Sequence, residues 1–156
     1  MSIREIEIRQ LESIKGGMVE FFTPQTSHET MLVQIAPNTI DDLFVHKSQT
    51  DQLLVVKGQV VLVTLINKKY KYIPLSENHP MVVTIPPGVL HGAINLSSQP
   101  CLLVNAVLRH RPPQPRDYIT CCRPFPYDLD AATLALKQLE ATKKIEVLGT
   151  IPTQVV

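Results

Sequence analysis

Short runs rich in Val, Ile and Leu, broken by turn residues, make up most of this chain. Ile6 and Ile8 alternate with Glu5, Glu7 and Arg9, the pattern of a half-buried edge strand. The same reading predicts strands over Met18–Phe22, Glu29–Ile35, Asp42–His46, Gln52–Val56 and Val60–Ile66. It predicts further strands over Tyr70–Ile73, Met81–Ile85, Val89–Asn95, Cys101–Leu108 and Tyr118–Cys122. Turn chemistry punctuates them at Pro37-Asn38, Gly58, Asn67-Lys68-Lys69, Pro86-Pro87-Gly88 and Ser97-Ser98. Gln49-Thr50-Asp51 reads as a connection, with Asp51 as a turn or strand-start residue. Roughly ten short strands at near-regular spacing predict an all-β sandwich or barrel. Leu53–Val56 and Val60–Leu65 are apolar on both faces. One face of such strands lines the barrel, and a second sheet or a second subunit covers the other.

One helix is expected near the end. Asp128 or Asp130 is its N-cap, and Leu129, Ala132, Leu136 and Leu139 form a stripe that packs on the outside of the barrel. Lys143 and Lys144 close it, where cations suit the helix dipole. The tail from Ile145 to Val156 is expected to add a strand or reach a neighbouring subunit. The prolines of Arg109–Arg116 predict a rigid extended loop.

Length and composition narrow the class. The 156 residues predict one domain, with the barrel over 18–122 and the helix over 129–144. A net charge of +1 gives no basis for a nucleic-acid or acidic-membrane partner. Cys101, Cys121 and Cys122 match no zinc spacing and form a poor disulfide framework, which suits reduced thiols. Charges in the first ten residues exclude a signal-peptide core, and no apolar run approaches the ~18 residues of a membrane span. A cytoplasmic protein is expected.

The stretch that carries chemistry runs from Pro86 to Asn95. Pro and Gly make the turn, and period-2 alternation then puts His91, Ala93 and Asn95 on one face. On a barrel interior this places an imidazole and an amide at a pocket wall. The segment resembles the second cupin motif, P-x-G-x-x-H-x-x-x-N, at every one of these fixed positions. The resemblance implies a double-stranded β-helix, the cupin jelly roll. Counting back from Gly58 against the first cupin motif puts Asp51 at the acidic position and His46 at the second histidine, with Phe44 where the first would stand. Metal-binding cupins hold a divalent ion with histidines and a glutamate. His46, Asp51 and His91 are therefore the candidate metal ligands, since two His and one carboxylate form a facial set with open positions.

A narrower likeness covers residues 42–112. Leu75-Ser76-Glu77-Asn78-His79 through Ile85-Pro86-Pro87-Gly88-Val89-Leu90-His91-Gly92 resembles the dTDP-4-dehydrorhamnose 3,5-epimerases. His46-Lys47 before Gln52–Gly58 resembles the sugar-nucleotide 3,4-ketoisomerases. The resemblance implies proton transfer beside a ketone by a histidine base, with a tyrosine or second histidine returning the proton. Imidazole suits this near neutrality. It also implies a homodimer and a sugar or sugar-nucleotide ligand. His91 and His46 are the candidate catalytic residues. Asn95, Asn105, Arg109 and Tyr72 are candidates for ligand binding, with Tyr118 a second phenol. Asn105 either lines the pocket or bonds across the sheet, and Arg109, Arg111 and Arg116 either meet a phosphate or lie in a solvated loop. His28 and His79 are expected in exposed positions.

Three functions follow. One is a keto-sugar isomerase or epimerase without a cofactor. Another is a metal-dependent cupin with one divalent ion, an oxygenase or isomerase. The third is a ligand-binding module without catalysis.

Overall fold

The alternation resolves into strands closely matching the expected ones, and the parity of each strand decides what it buries. The computed structural model describes residues 5–16, 19–22 and 25–149. The first strands are β1 (Glu7–Gln10), β2 (Ser13–Gly16), β3 (Val19–Phe22), β4 (Glu29–Ile35), β5 (Thr39–Ile40) and β6 (Leu43–His46). They are followed by β7 (Gln49–Lys57), β8 (Gln59–Ile66), β9 (Lys69–Ser76), β10 (Met81–Ile85), β11 (Leu90–Asn95), β12 (Cys101–Arg109) and β13 (Tyr118–Cys121). One helix, α1 (Leu129–Gly149), ends the described chain. No described helix is long and apolar enough to cross a membrane.

Two antiparallel sheets face each other. One has the order β1-β10-β7-β12-β4, the other β13-β6-β11-β8-β9 with β5 on β11. Their inner faces meet in one apolar cluster that includes Leu53, Val55, Leu62, Leu75, Val83 and Leu103. Each such side chain contributes about 1.5–3 kcal/mol by leaving water. Gly58 turns β7 into β8 at φ +85°, and a Cβ there would stand 2.9 Å from the Pro100 carbonyl oxygen. Only glycine combines that backbone with that approach.

The outer face of the second sheet is covered by α1. Val61, Val63 and Ile94 pack with Ala132, Tyr127 and Leu136. Asp128 is the N-cap, accepting from the Ala131 N–H at 2.9 Å. Leu129 is exposed, so the buried stripe begins at Ala132. The helix runs through Lys143 and Lys144 to Gly149, so the lysines do not close it. The expected tail strand fails over 145–149, and residues 150–156 lie outside the described residues, as does Met18 of an expected strand. Two strands were not anticipated, β2 and β5, of four and two residues. Ser13-Ile14-Lys15-Gly16 holds a single apolar residue and β5 has only two residues, so neither carries an alternation to read.

Candidate functional site

The inner face of β7 continues its alternation past Leu53 to Asp51 and Gln49. These residues belong to the strand and are buried, which corrects the reading of Gln49–Asp51 as a connection. On β12 the register sets Leu103 against Val55, Asn105 against Leu53 and Arg109 against Gln49. The turn at Pro86–Gly88 matters here. Gly88 adopts φ +79°, and its N–H donates to the His46 carbonyl at 2.7 Å, tying the end of β6 to the start of β11. That tie brings His46 beside His91. Above the apolar layer lies a cavity of about 690 Å³, whose lining includes His46, Gln49, Asp51, His91, Asn105 and Arg109.

Asp51 is at its centre, 2% exposed. Its Oδ1 accepts from Gln49 Nε2 at 2.6 Å and from Asn105 Nδ2 at 2.9 Å. Its Oδ2 lies 3.3 Å from His46 Nε2 and 3.4 Å from His91 Nε2. His91 Nδ1 donates to the Val89 carbonyl at 2.9 Å, because that oxygen can only accept. Its Nε2 is buried and makes no hydrogen bond of good geometry. Two acceptors do not share such a gap without cost, so the pair calls for a donor or a cation between them. The Phe44 ring stacks edge-on against His91 with centroids 4.2 Å apart, and 5.6 Å from His46.

The environment tunes both partners. Burial is the largest influence on His46 and pushes its pKa below the ordinary imidazole value; Asp51 and Asp117 pull it back up, His91 and Arg109 push it further down, and the net shift is downward. Burial pushes Asp51 upward, yet His91, His46 and the Asn105 amide together hold its carboxyl below the usual range. The site at neutral pH therefore contains a neutral His46 beside an ionised Asp51.

Other candidates fall in different places. Asn105 does both things expected of it as alternatives. It lines the cavity, bonds across to Asp51, and accepts from the Gln52 N–H at 3.0 Å. Arg109 reaches the cavity wall, but it donates to Glu29 Oε2 at 2.7 and 3.0 Å and to Gln49 Oε1 at 2.5 Å. Arg111 is paired with Asp117 at 2.7 Å. Asn95 is a correction: its Nδ2 reaches the carbonyls of Ile35, Ala36 and Gln99, and its Oδ1 accepts from Ser97, so the amide fastens the far end of the barrel. Tyr72 is another: its hydroxyl accepts from the Asp128 N–H at 2.6 Å, under α1 and away from the cavity. Tyr118 lines the mouth instead, its ring 5.4 Å from His46. His28 holds the Arg109 N–H on its Nδ1 at 2.8 Å. His79 is only half-exposed, with its Nε2 buried. The sequence reading missed Gln49, which counting in twos back from Leu53 through Asp51 reaches only once β7 is known to begin there.

His46, Asp51 and His91 also fit a metal ion. One ligand atom from each lies within 4.8 Å of the others, the shorter Asp51 still reaches both imidazoles, and the buried Nε2 of His91 lacks a hydrogen-bond partner.

No protein-family model and no curated protein matches the chain. Solved structures do. A dTDP sugar isomerase from Desulfovibrio desulfuricans G20 has a TM-score of 0.65 at 17% identity, over 83% of this chain and 94% of that one. A dTDP-4-dehydrorhamnose 3,5-epimerase from Elizabethkingia anophelis NUHP1 has 0.62 at 12%, over 77% and 76%. A sugar 3,4-ketoisomerase from Thermoanaerobacterium thermosaccharolyticum, solved with TDP, has 0.60 at 18%, over 88% and 98%. At such identities the likeness is one of fold, and the chain is a cupin-type jelly roll, a double-stranded β-helix with one C-terminal helix.

Proposed function

We propose that this protein isomerises or epimerises a small keto-sugar by moving a proton at the carbon beside the carbonyl. The observation that carries the reading is the convergence of His46 and His91 on one oxygen of buried Asp51, at the wall of a cavity large enough for a sugar. A carbon acid of this kind needs a base that is neutral at working pH and held in place. Burial keeps His46 neutral, and Asp51 stabilises the imidazolium that forms when His46 takes a proton. His91, fixed by Val89, is the second imidazole available to return a proton, with the Tyr118 phenol at the mouth. The solved structures with this fold include enzymes named for dTDP-linked sugars, which supports a nucleotide-linked sugar as the first ligand to test.

The test is solvent deuterium incorporation into a panel of dTDP-4-keto sugars. Exchange above that of a His91→Ala control is the expected result, and equal rates would remove the reading. A second reading, a divalent-metal cupin, is favoured by the unpartnered Nε2 of His91. His46, Asp51 and His91 would hold the ion, which would polarise a bound carbonyl. Metal content near one per chain in protein purified without chelator, lost in His46→Ala, supports it; trace metal indifferent to that substitution rejects it.

A further inference from the structure

Buried Gln49 and half-buried Arg109 form a chain of contacts at the cavity wall that the proton transfer proposed above does not use. The orientation of each amide is fixed by its far side. Arg109 can only donate, so Gln49 turns its Oε1 to the guanidinium and must present Nε2 to Asp51. The Gln52 N–H likewise claims Asn105 Oδ1, so Asn105 must present Nδ2 to the same carboxylate oxygen. Glu29 anchors Arg109 at the rim through two N–H groups, and His28 holds its backbone. Gln49 and Asn105 are 5% and 4% exposed, so water competes little for their bonds to Asp51.

We propose that Gln49 is a positioning residue. Held by Arg109, it saturates one oxygen of Asp51 and keeps the other turned to His46 and His91. This rests on the proton-transfer reading for its effect on rate, but the geometry it describes stands apart from any substrate. Arg109 then serves the carboxylate rather than a ligand phosphate. Without the Gln49 donor, Asp51 keeps a single amide on Oδ1 and gains freedom about its terminal torsion. Its Oδ2 no longer faces both imidazoles at once.

Gln49→Met tests this, because it keeps the volume and removes only the amide. The ¹⁵N resonances of the His46 and His91 rings, measured at one pH without substrate, are expected to shift in this variant. With a substrate that exchanges, kcat is expected to fall about tenfold, as for a lost hydrogen bond to a charged group, with KM within twofold. A folded Gln49→Met whose imidazole resonances match those of the wild type overturns the proposal. So does a loss that appears in KM alone. Should Gln49→Met not fold, Arg109→Met, which removes every donor from the amide oxygen, is read by the same resonances and against the same outcomes. Absence of exchange with every keto-sugar would count against the proposed reaction, and the resonances would still decide the role of Gln49.

Discussion

Strand β7 carries Leu53 and Val55 at one end of the barrel and Gln49 and Asp51 at the other, and β12 repeats the division with Leu103 against Asn105 and Arg109. At the first end the side chains fill space and leave water. At the second, polar atoms are buried at a cost that only partners offset. Most of them have partners: Gln49, Asp51, Asn105 and Arg109 are joined in one network. Nε2 of His91 and Oγ1 of Thr64 are buried there without a hydrogen bond, on residues paired in register across β11 and β8. A fold that needed only stability would place apolar residues at these positions. Retained, unsatisfied polar atoms beside a cavity mark where the barrel departs from that rule.

The largest expected effect breaks this comparison if it is false. Leu103→Ala, at 1% exposure, is expected to cost about 2–5 kcal/mol in urea unfolding. His91→Gln is expected to cost about 1 kcal/mol, because an amide still reaches Asp51. In exchange assays the ranking inverts, with His91→Gln losing about 100- to 10,000-fold. Equal destabilisation by the two substitutions would make the polar layer a structural element.

The next effect concerns pH. Folding lowers the pKa of His46 from 6.5, so its folded form favours the neutral ring. A lowered pKa contributes stability that is present above the unfolded value and lost as pH falls through the folded one. Asp51 adds a loss of the same sign at lower pH, below its unfolded value of 3.8. Exchange should therefore hold from pH 8 to below 6.5 before its acid limb begins. A rate profile that already falls by half at or above pH 6.5 would deny His46 the role of base.

Much of this layout was legible because long strands repeat one parity. The Val- and Leu-rich runs Cys101–Leu108 and Val60–Ile66, bounded by turn residues, need no tertiary information to be read as strands, and the Pro86–Asn95 turn and strand put His91 at the cavity wall. Parity gives a face but not a depth. Asn95 shares the face of His91, yet four residues at about 3.3 Å each put it roughly 13 Å away, outside the lining of that cavity. Gln49-Thr50-Asp51 hid the polar half of β7 because its composition is that of a turn. A strand buried on a polar network loses the apolar signal by which strands are read. Strands apolar on both faces also gave no sign of which face α1 would cover. In the second sheet it covers Val61, Val63 and Ile94, while Leu32 and Val56 of the first sheet stay exposed.

The smallest expected effect tests the division between the two faces of one strand. Tyr72 pairs with Val63, which packs in the cluster beneath α1, so the phenol lies on the outer face. Its hydroxyl accepts the Asp128 N–H, at the residue whose carboxylate caps the helix. That N–H is near the surface, so water replaces much of what Tyr72→Phe removes. A loss of about 0.5–1.5 kcal/mol is expected, read as a Tm lower by a few degrees. Exchange should stay within twofold of wild type, since no atom of the cavity is touched. A tenfold loss of exchange at unchanged Tm would mean that Tyr72 reaches the ligand, and the barrel's inner face would not then contain the whole site.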